Sequence, residues 1–278
     1  MRFLRMFTVI VFVFSLVFAA WESHRYYGNL NTDYPKLTAT EKQLQISVDD
    51  PAEAIFRGLT AQDATDGDLT DRIMVASMSH FLEPGTVNVK YVVFDSHNNS
   101  ATLTRRVHYT DYVPPRFTLD KAPVYTVGNS FDLLDHVHVQ DCIDGDISDR
   151  IRVVSNMVNN YSVGNYPVLL EVANSCGDTA QITLWVTYQA KEPTATVLLH
   201  DYIVYLPQGA AFDPHKYLVA VTDRNAQPLE TSQVQIQGLL DTDTPGAYQL
   251  LYHYDDGILT GCNALTVVVT ERSGANAG

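Results

Sequence analysis

The stretch Asp63-Ala-Thr-Asp66-Gly67-Asp68-Leu-Thr-Asp71-Arg72-Ile73 returns 78 residues later as Asp141-Cys-Ile-Asp144-Gly145-Asp146-Ile-Ser-Asp149-Arg150-Ile151, with seven of eleven positions identical. A duplication on that scale makes the chain a series of like units, each of which must close over its own core. A second marker follows each copy: Gly85 with Val87, Val89, Tyr91 and Val93, then Gly164 with Tyr166, Val168, Leu170 and Val172. It recurs at Gly246 with Tyr248, Leu250, Tyr252 and Tyr254. Apolar residues at every second position describe a strand with one face in a core. A third marker joins the last two units, Val124-Tyr125, Gly128 and Phe131-Asp132 matching Val204-Tyr205, Gly209 and Phe212-Asp213. The third unit is thus a degenerate copy, and its loop, Asp223-Arg-Asn-Ala-Gln-Pro-Leu229, lacks the Asp-Gly-Asp core.

Pro114-Pro115 and Pro193 discourage strand continuation and mark the junctions. The organisation expected is a signal anchor and linker over 1–36, three like domains over 37–113, 114–192 and 193–272, and a flexible tail over 273–278. Each unit reads as about seven short strands with turns such as Asp66-Gly67, Pro84-Gly85 and Asp144-Gly145 between them. No amphipathic stretch is long enough for the helical crossovers of a parallel α/β sheet. The fold class is therefore all-β: three tandem antiparallel β-sandwiches preceded by one N-terminal transmembrane or signal helix. A hydrophobic content of 46% suffices to fill three cores.

The Asp-x-x-Asp-Gly-Asp loop, the Gly-led alternating strand, Asp95-Ser-His-Asn98-Asn99-Ser-Ala101 and Asp111-Tyr-Val-Pro-Pro together resemble the bacterial Ig-like surface repeats classed with the Ig-like domain of pesticidal crystal proteins and with hyalin-type repeats. The resemblance covers most of 37–272 and weakens in the third unit. It implies an Ig-like sandwich in a bacterial protein of the cell surface, without a general catalytic activity.

At the N-terminus, Arg2 and Arg5 precede an apolar run from Met6 to Trp21. Phe and Val fill its whole circumference, which suits export rather than a soluble core. Sixteen residues reach only ~24 Å against a hydrocarbon layer of ~30 Å. An uncleaved single-span anchor, N-terminus inside and bulk extracellular, is preferred to secretion after cleavage near Ala19.

Asp63, Asp66, Asp68 and Asp71, with Asp141, Asp144, Asp146 and Asp149, are candidate ligands for weak calcium binding, because a hard cation takes clustered carboxylate oxygens. The spacing is not that of an EF-hand, and a structural turn is the preferred reading: Asp-Gly for the turn, the following Asp as cap, Arg as ion-pair partner. Cys142 and Cys176 fall in loops at one end of the second sandwich and are a candidate disulfide, which oxidising surroundings permit. His136 and His138 lie on one face of a strand and are read as a solvent-facing pair. No nucleophile elbow, phosphate loop or zinc-protease motif is present, so no enzyme and no cofactor beyond weak calcium is expected.

A net charge of -14 argues against nucleic acid as a partner. The function expected is a non-enzymatic, membrane-tethered spacer or interaction scaffold, with the membrane bound through the N-terminal helix and an unknown surface protein or glycan as partner. Two alternatives stand beside it. One is an adhesin-like module binding a glycan or protein through domain 3, where Tyr202, Tyr217 and Tyr252 stand near Pro-rich loops, although Tyr252 falls on the inward alternation and is better read as core. The other is an accessory subunit of an envelope assembly machine.

Overall fold

The structure is a computed structural model and describes residues 12–23, 33–130 and 132–271. Arg2, Arg5, most of the linker before Asp33, Phe131 and the tail over 273–278 lie outside the described residues. A helix runs over 12–23, and among the described residues no helix is long and apolar enough to cross a membrane. The expected span begins outside the described residues, and the transmembrane reading finds no support in the part described.

Seven strands form the first module: β1 (Lys36–Ala39), β2 (Gln43–Ile46), β3 (Leu59–Asp63), β4 (Gly67–Asp68), β5 (Met74–Met78), β6 (Thr86–Phe94) and β7 (Ser100–Tyr109). The second has β8 (Arg116–Leu119), β9 (Val124–Thr126), β10 (Val137–Asp141), β11 (Gly145–Asp146), β12 (Arg152–Asn156), β13 (Gly164–Ala173) and β14 (Thr179–Gln189). The third has β15 (Ala195–Leu199), β16 (Ile203–Pro207), β17 (Leu218–Asp223), β18 (Pro228–Leu229), β19 (Val234–Gln237), β20 (Gly246–Asp255) and β21 (Thr260–Thr270). One topology serves all three: a three-stranded sheet, β1-β3-β4 and its copies, and a four-stranded sheet, β2-β7-β6-β5 and its copies. The four-stranded sheets of the second and third modules are mixed rather than purely antiparallel, since β9 runs parallel to β14 and β16 parallel to β21. The described residues cluster into two compact units, one built on the first module and one on the second and third.

The alternating strands fill the cores. Val87, Val89, Tyr91 and Val93 are fully buried, as are Val168, Leu170 and Val172, then Leu250, Tyr252 and Tyr254. Each such side chain contributes roughly 1.5–3 kcal/mol of burial. Tyrosine at the centre of this row needs a partner for its hydroxyl, and both central tyrosines have one. Tyr91 Oη donates to Ile55 O at 2.7 Å and Tyr252 Oη to Pro214 O at 2.7 Å. Both carbonyls belong to the 3-10 turn before the third strand of their module, Ala52–Phe56 and Pro214–Tyr217. In the second module Leu170 takes that place and asks for no such bond.

Candidate functional site

The acidic loops are built by two backbone constraints. Gly67 and Gly145 sit at φ +75° and +73°, the left-handed region that a side chain resists. Asp63 Oδ1 then accepts from the backbone N–H of Thr65 and Asp66 at 2.8 and 2.9 Å, and Asp141 Oδ1 from those of Ile143 and Asp144 at 2.9 and 2.8 Å. Asp68 Oδ1 accepts from Thr70 N and Asp146 Oδ1 from Ser148 N, both at 2.9 Å, which starts the short 3-10 turns Thr70–Arg72 and Ser148–Arg150. Hydrogen bonds from the Thr70 hydroxyl and N–H, and from those of Ser148, hold Asp68 and Asp146 below the usual carboxylate range. Leu69 and Ile147, one residue on, are buried in the cores.

The middle aspartate reaches across to the other sheet. Asp66 takes the N–H of Ser96 at 2.6 Å on Oδ2 and its hydroxyl at 2.9 Å on Oδ1. Asp144 takes the same two groups from Ser175, at 2.7 and 2.6 Å, and adds Arg150 Nη1 at 2.6 Å. Ser96 and Ser175 stand in the turns joining β6 to β7 and β13 to β14, so this carboxylate fastens the edge of the three-stranded sheet to the central hairpin of the four-stranded one. The Ser96 N–H and hydroxyl hold Asp66 below its ordinary pKa. Burial works against ionisation at Asp144, and Ser175 with Arg150 outweighs it. Asp71 and Asp149 are exposed. Among the described residues no group of three or more His, Cys, Asp or Glu side chains is arranged to hold a metal ion.

The bridge expected between Cys142 and Cys176 is not formed in the structure, where both thiols are free. Cys142 turns to the main chain of Val113, donating to its carbonyl at 3.1 Å, while Cys176 is buried. Burial pushes both thiols up. His136 and His138 have the carboxylate that sequence reasoning missed. Asp120 Oδ1 lies 2.7 Å from His136 Nδ1 and its Oδ2 3.5 Å from His138 Nε2, with Asp132 Oδ2 3.4 Å from the other nitrogen of His136. The antiparallel register His138 to Thr118 brings Asp120 there. That register was the signal available, but it requires the pairing of β8 with β10 to be known.

The aromatics near the Pro-rich loops of the third module are not a free platform. Tyr252 is fully buried, and Tyr202 and Tyr217 pack against hydrophobic cores. The open feature of that module is instead a polar groove of about 410 Å³ lined by Gln189, Gln235, Gln237, His253, Asp255 and Cys262. One rung of the four-stranded sheet shows how it arose. The rung is Met74–Val92–Thr102 in the first module and Arg152–Glu171–Gln181 in the second, where Gln181 Nε2 donates to Glu171 at 2.6 Å. In the third it is Gln235–His253–Cys262, with the thiol 4.0 Å from His253 Nε2. Burial pushes Cys262 up to about 11 and His253 down, so both are neutral at pH 7.

Comparison with known proteins bears on the first module most directly. Residues 39–108 match the family model described as bacterial surface protein, Ig-like domain. A pesticidal crystal protein of Bacillus thuringiensis, Cry22Aa, is 31% identical over 134 residues, covering 46% of this chain and 18% of that protein. The chain thus corresponds to a minor part of that relative's length. Among solved structures, the M60 catalytic domain with the CBM51-1 and CBM51-2 domains of Clostridium perfringens ZmpB is 14% identical, with 87% of this chain and 31% of that one covered and a TM-score of 0.24. Drosophila N-cadherin EC1-3 is 12% identical, with 83% and 98% covered and a TM-score of 0.28. At such scores nothing about ligand or activity passes from either protein to this chain.

Proposed function

We infer, from a first module that is a bacterial surface Ig-like domain, that this chain is a non-enzymatic protein exposed outside the cell, whose tandem modules act as a spacer or interaction scaffold. The observation that carries this reading is the use made of the repeated polar residues. Three of the four carboxylates of each intact loop are engaged in turns and in ties between sheets, so what the repeats preserve is the integrity of a sandwich. An acidic surface keeps such a protein soluble and away from anionic polymers. An epitope tag placed at the C-terminus of the full chain should be labelled by antibody on intact cells. Labelling only after lysis would remove the extracellular reading.

A second reading, glycan or protein binding through the third module, is favoured by the groove on β19, β20 and β21. Its amides offer donors and acceptors together, as a polyhydroxylated ligand requires, and no Lys or Arg lines it. A glycan array probed with the full chain and with Gln235→Ala separates the two. Binding lost in the variant supports the groove, and silence across a broad array leaves the spacer.

A further inference from the structure

The two intact modules exchange a carboxylate and an amide at one place: Asp95 and Asn99 of the first stand where Asn174 and Asp178 stand in the second, which moves the carboxylate toward Asp63. In the second module Asp141 Oδ2 accepts from Asn174 Nδ2 at 3.2 Å. In the first, Asp63 Oδ1 makes the same two backbone bonds as Asp141 Oδ1, so its Oδ2 is turned the same way. The residue in the place of Asn174 is Asp95. It is held alike: Asp95 Oδ1 accepts from Asn99 N at 2.7 Å as Asn174 Oδ1 accepts from Asp178 N at 2.9 Å. The amide that would have donated is therefore a carboxylate oxygen. Asp63 and Asp95 are 7% and 5% exposed, and Asp63 Oδ2 is buried without a hydrogen-bond partner.

By the correspondence with Asp141 and Asn174, Asp63 Oδ2 is turned toward Asp95, and two buried carboxylates so placed need positive charge between them, since an uncompensated buried charge costs several kcal/mol. A shared proton fits badly. Asp95 accepts from the N–H groups of His97 and Asn99 and from Asn99 Nδ2 at 2.8, 2.7 and 2.8 Å, and each bond favours the ionised form. His97 directs its Nδ1 at Ser96 Oγ, 3.2 Å away. We propose that the first module, alone among the three, binds one hard divalent cation of the calcium type between Asp63 Oδ2 and Asp95 Oδ2. The donors are all oxygen, with no imidazole or thiolate to select a softer ion. Asp33 O, which accepts from Asn99 Nδ2 at 3.1 Å, marks main-chain oxygen nearby, and water completes the shell. Two side-chain ligands place the affinity in the weak extracellular range, on the order of 0.1 to 1 mM. The site draws on one carboxylate of the acidic loop and one from outside it. Asp66 and Asp68 stay in their structural bonds.

The test is titration of chelator-treated full chain with calcium chloride alone, followed by calorimetry of binding and by thermal unfolding. One site per chain is expected, with the melting of the first module raised by roughly 6–20 °C at about 10 mM calcium. Asp95→Asn combined with Asn99→Asp installs the pair of side chains that the second module already uses, and sets no two amide donors against one another. It should abolish the response and melt in chelator no lower than the parent protein, while Asn174→Asp should create a second site. No heat and no shift in the parent protein overturns the proposal, as does a response that survives the double exchange Asp95→Asn with Asn99→Asp. A first module that is stabilised between pH 7 and 5 and indifferent to calcium assigns the place to a shared proton instead, and equally overturns it.

Discussion

At the scale of single residues, Asp144 is the side chain on which most converges. It joins the loop of the second module to Ser175 through two hydrogen bonds and to Arg150 through an ion pair. Asp144→Ala leaves the Ser175 N–H and hydroxyl without their acceptor, and about 2 kcal/mol of stability should be lost. Urea unfolding of the full chain measures it as a lower midpoint at unchanged slope. The same carboxylate gives a pH dependence of known sign. Its folded pKa lies below the ordinary 3.8, so its contribution is complete above that value and is lost as pH falls through the lower, folded one. The Asp-Gly turn and the bonds of Asp68 to Thr70 and Asp146 to Ser148 were legible in the sequence because they act within three residues. The serine was not, because Ser96 lies 30 residues from Asp66 and Ser175 31 from Asp144. The same limit hid Asp120 from His136.

At the scale of elements, the strand led by glycine carries the core. Leu170 is fully buried in the middle of β13, and Leu170→Ala should cost about 2–5 kcal/mol through lost transfer energy and the cavity left behind. Calorimetry should show the loss in the transition of the unit that holds the second module. An unchanged transition would mean that the alternation is not what stabilises the sheet. Period-two alternation is local and marks the buried face of a strand wherever it occurs, so β6, β13 and β20 were legible residue by residue. The direction of a neighbour is not local. Val124–Thr126 reads the same whether it lies parallel or antiparallel to β14, and the parallel pairing comes from the route of the chain between the two sheets. Aromatics misled for a related reason: Tyr202 and Tyr217 lie outside the alternating rows, yet both pack against cores.

At the scale of the whole molecule, the two compact units should appear as separate unfolding transitions, with the second and third modules sharing one. Those two modules are joined by specific bonds. Tyr205 Oη of the third module accepts from Phe117 N at 2.7 Å and lies 3.3 Å from Phe117 O, while the Arg116 guanidinium covers its ring at 5.1 Å. Gln249 Nε2 donates to Trp185 O at 2.7 Å. Ala247 and Val268 of the third module pack against the core of the second. Tyr205→Phe keeps the ring and removes the acceptor, leaving the Phe117 N–H without it at a cost of about 1–3 kcal/mol. The shared transition should fall by several degrees in differential scanning calorimetry while the first module's transition stays in place. If both transitions move together, the chain unfolds as one cooperative body. If neither moves, the hydroxyl does not couple the modules and the apolar contacts alone join them.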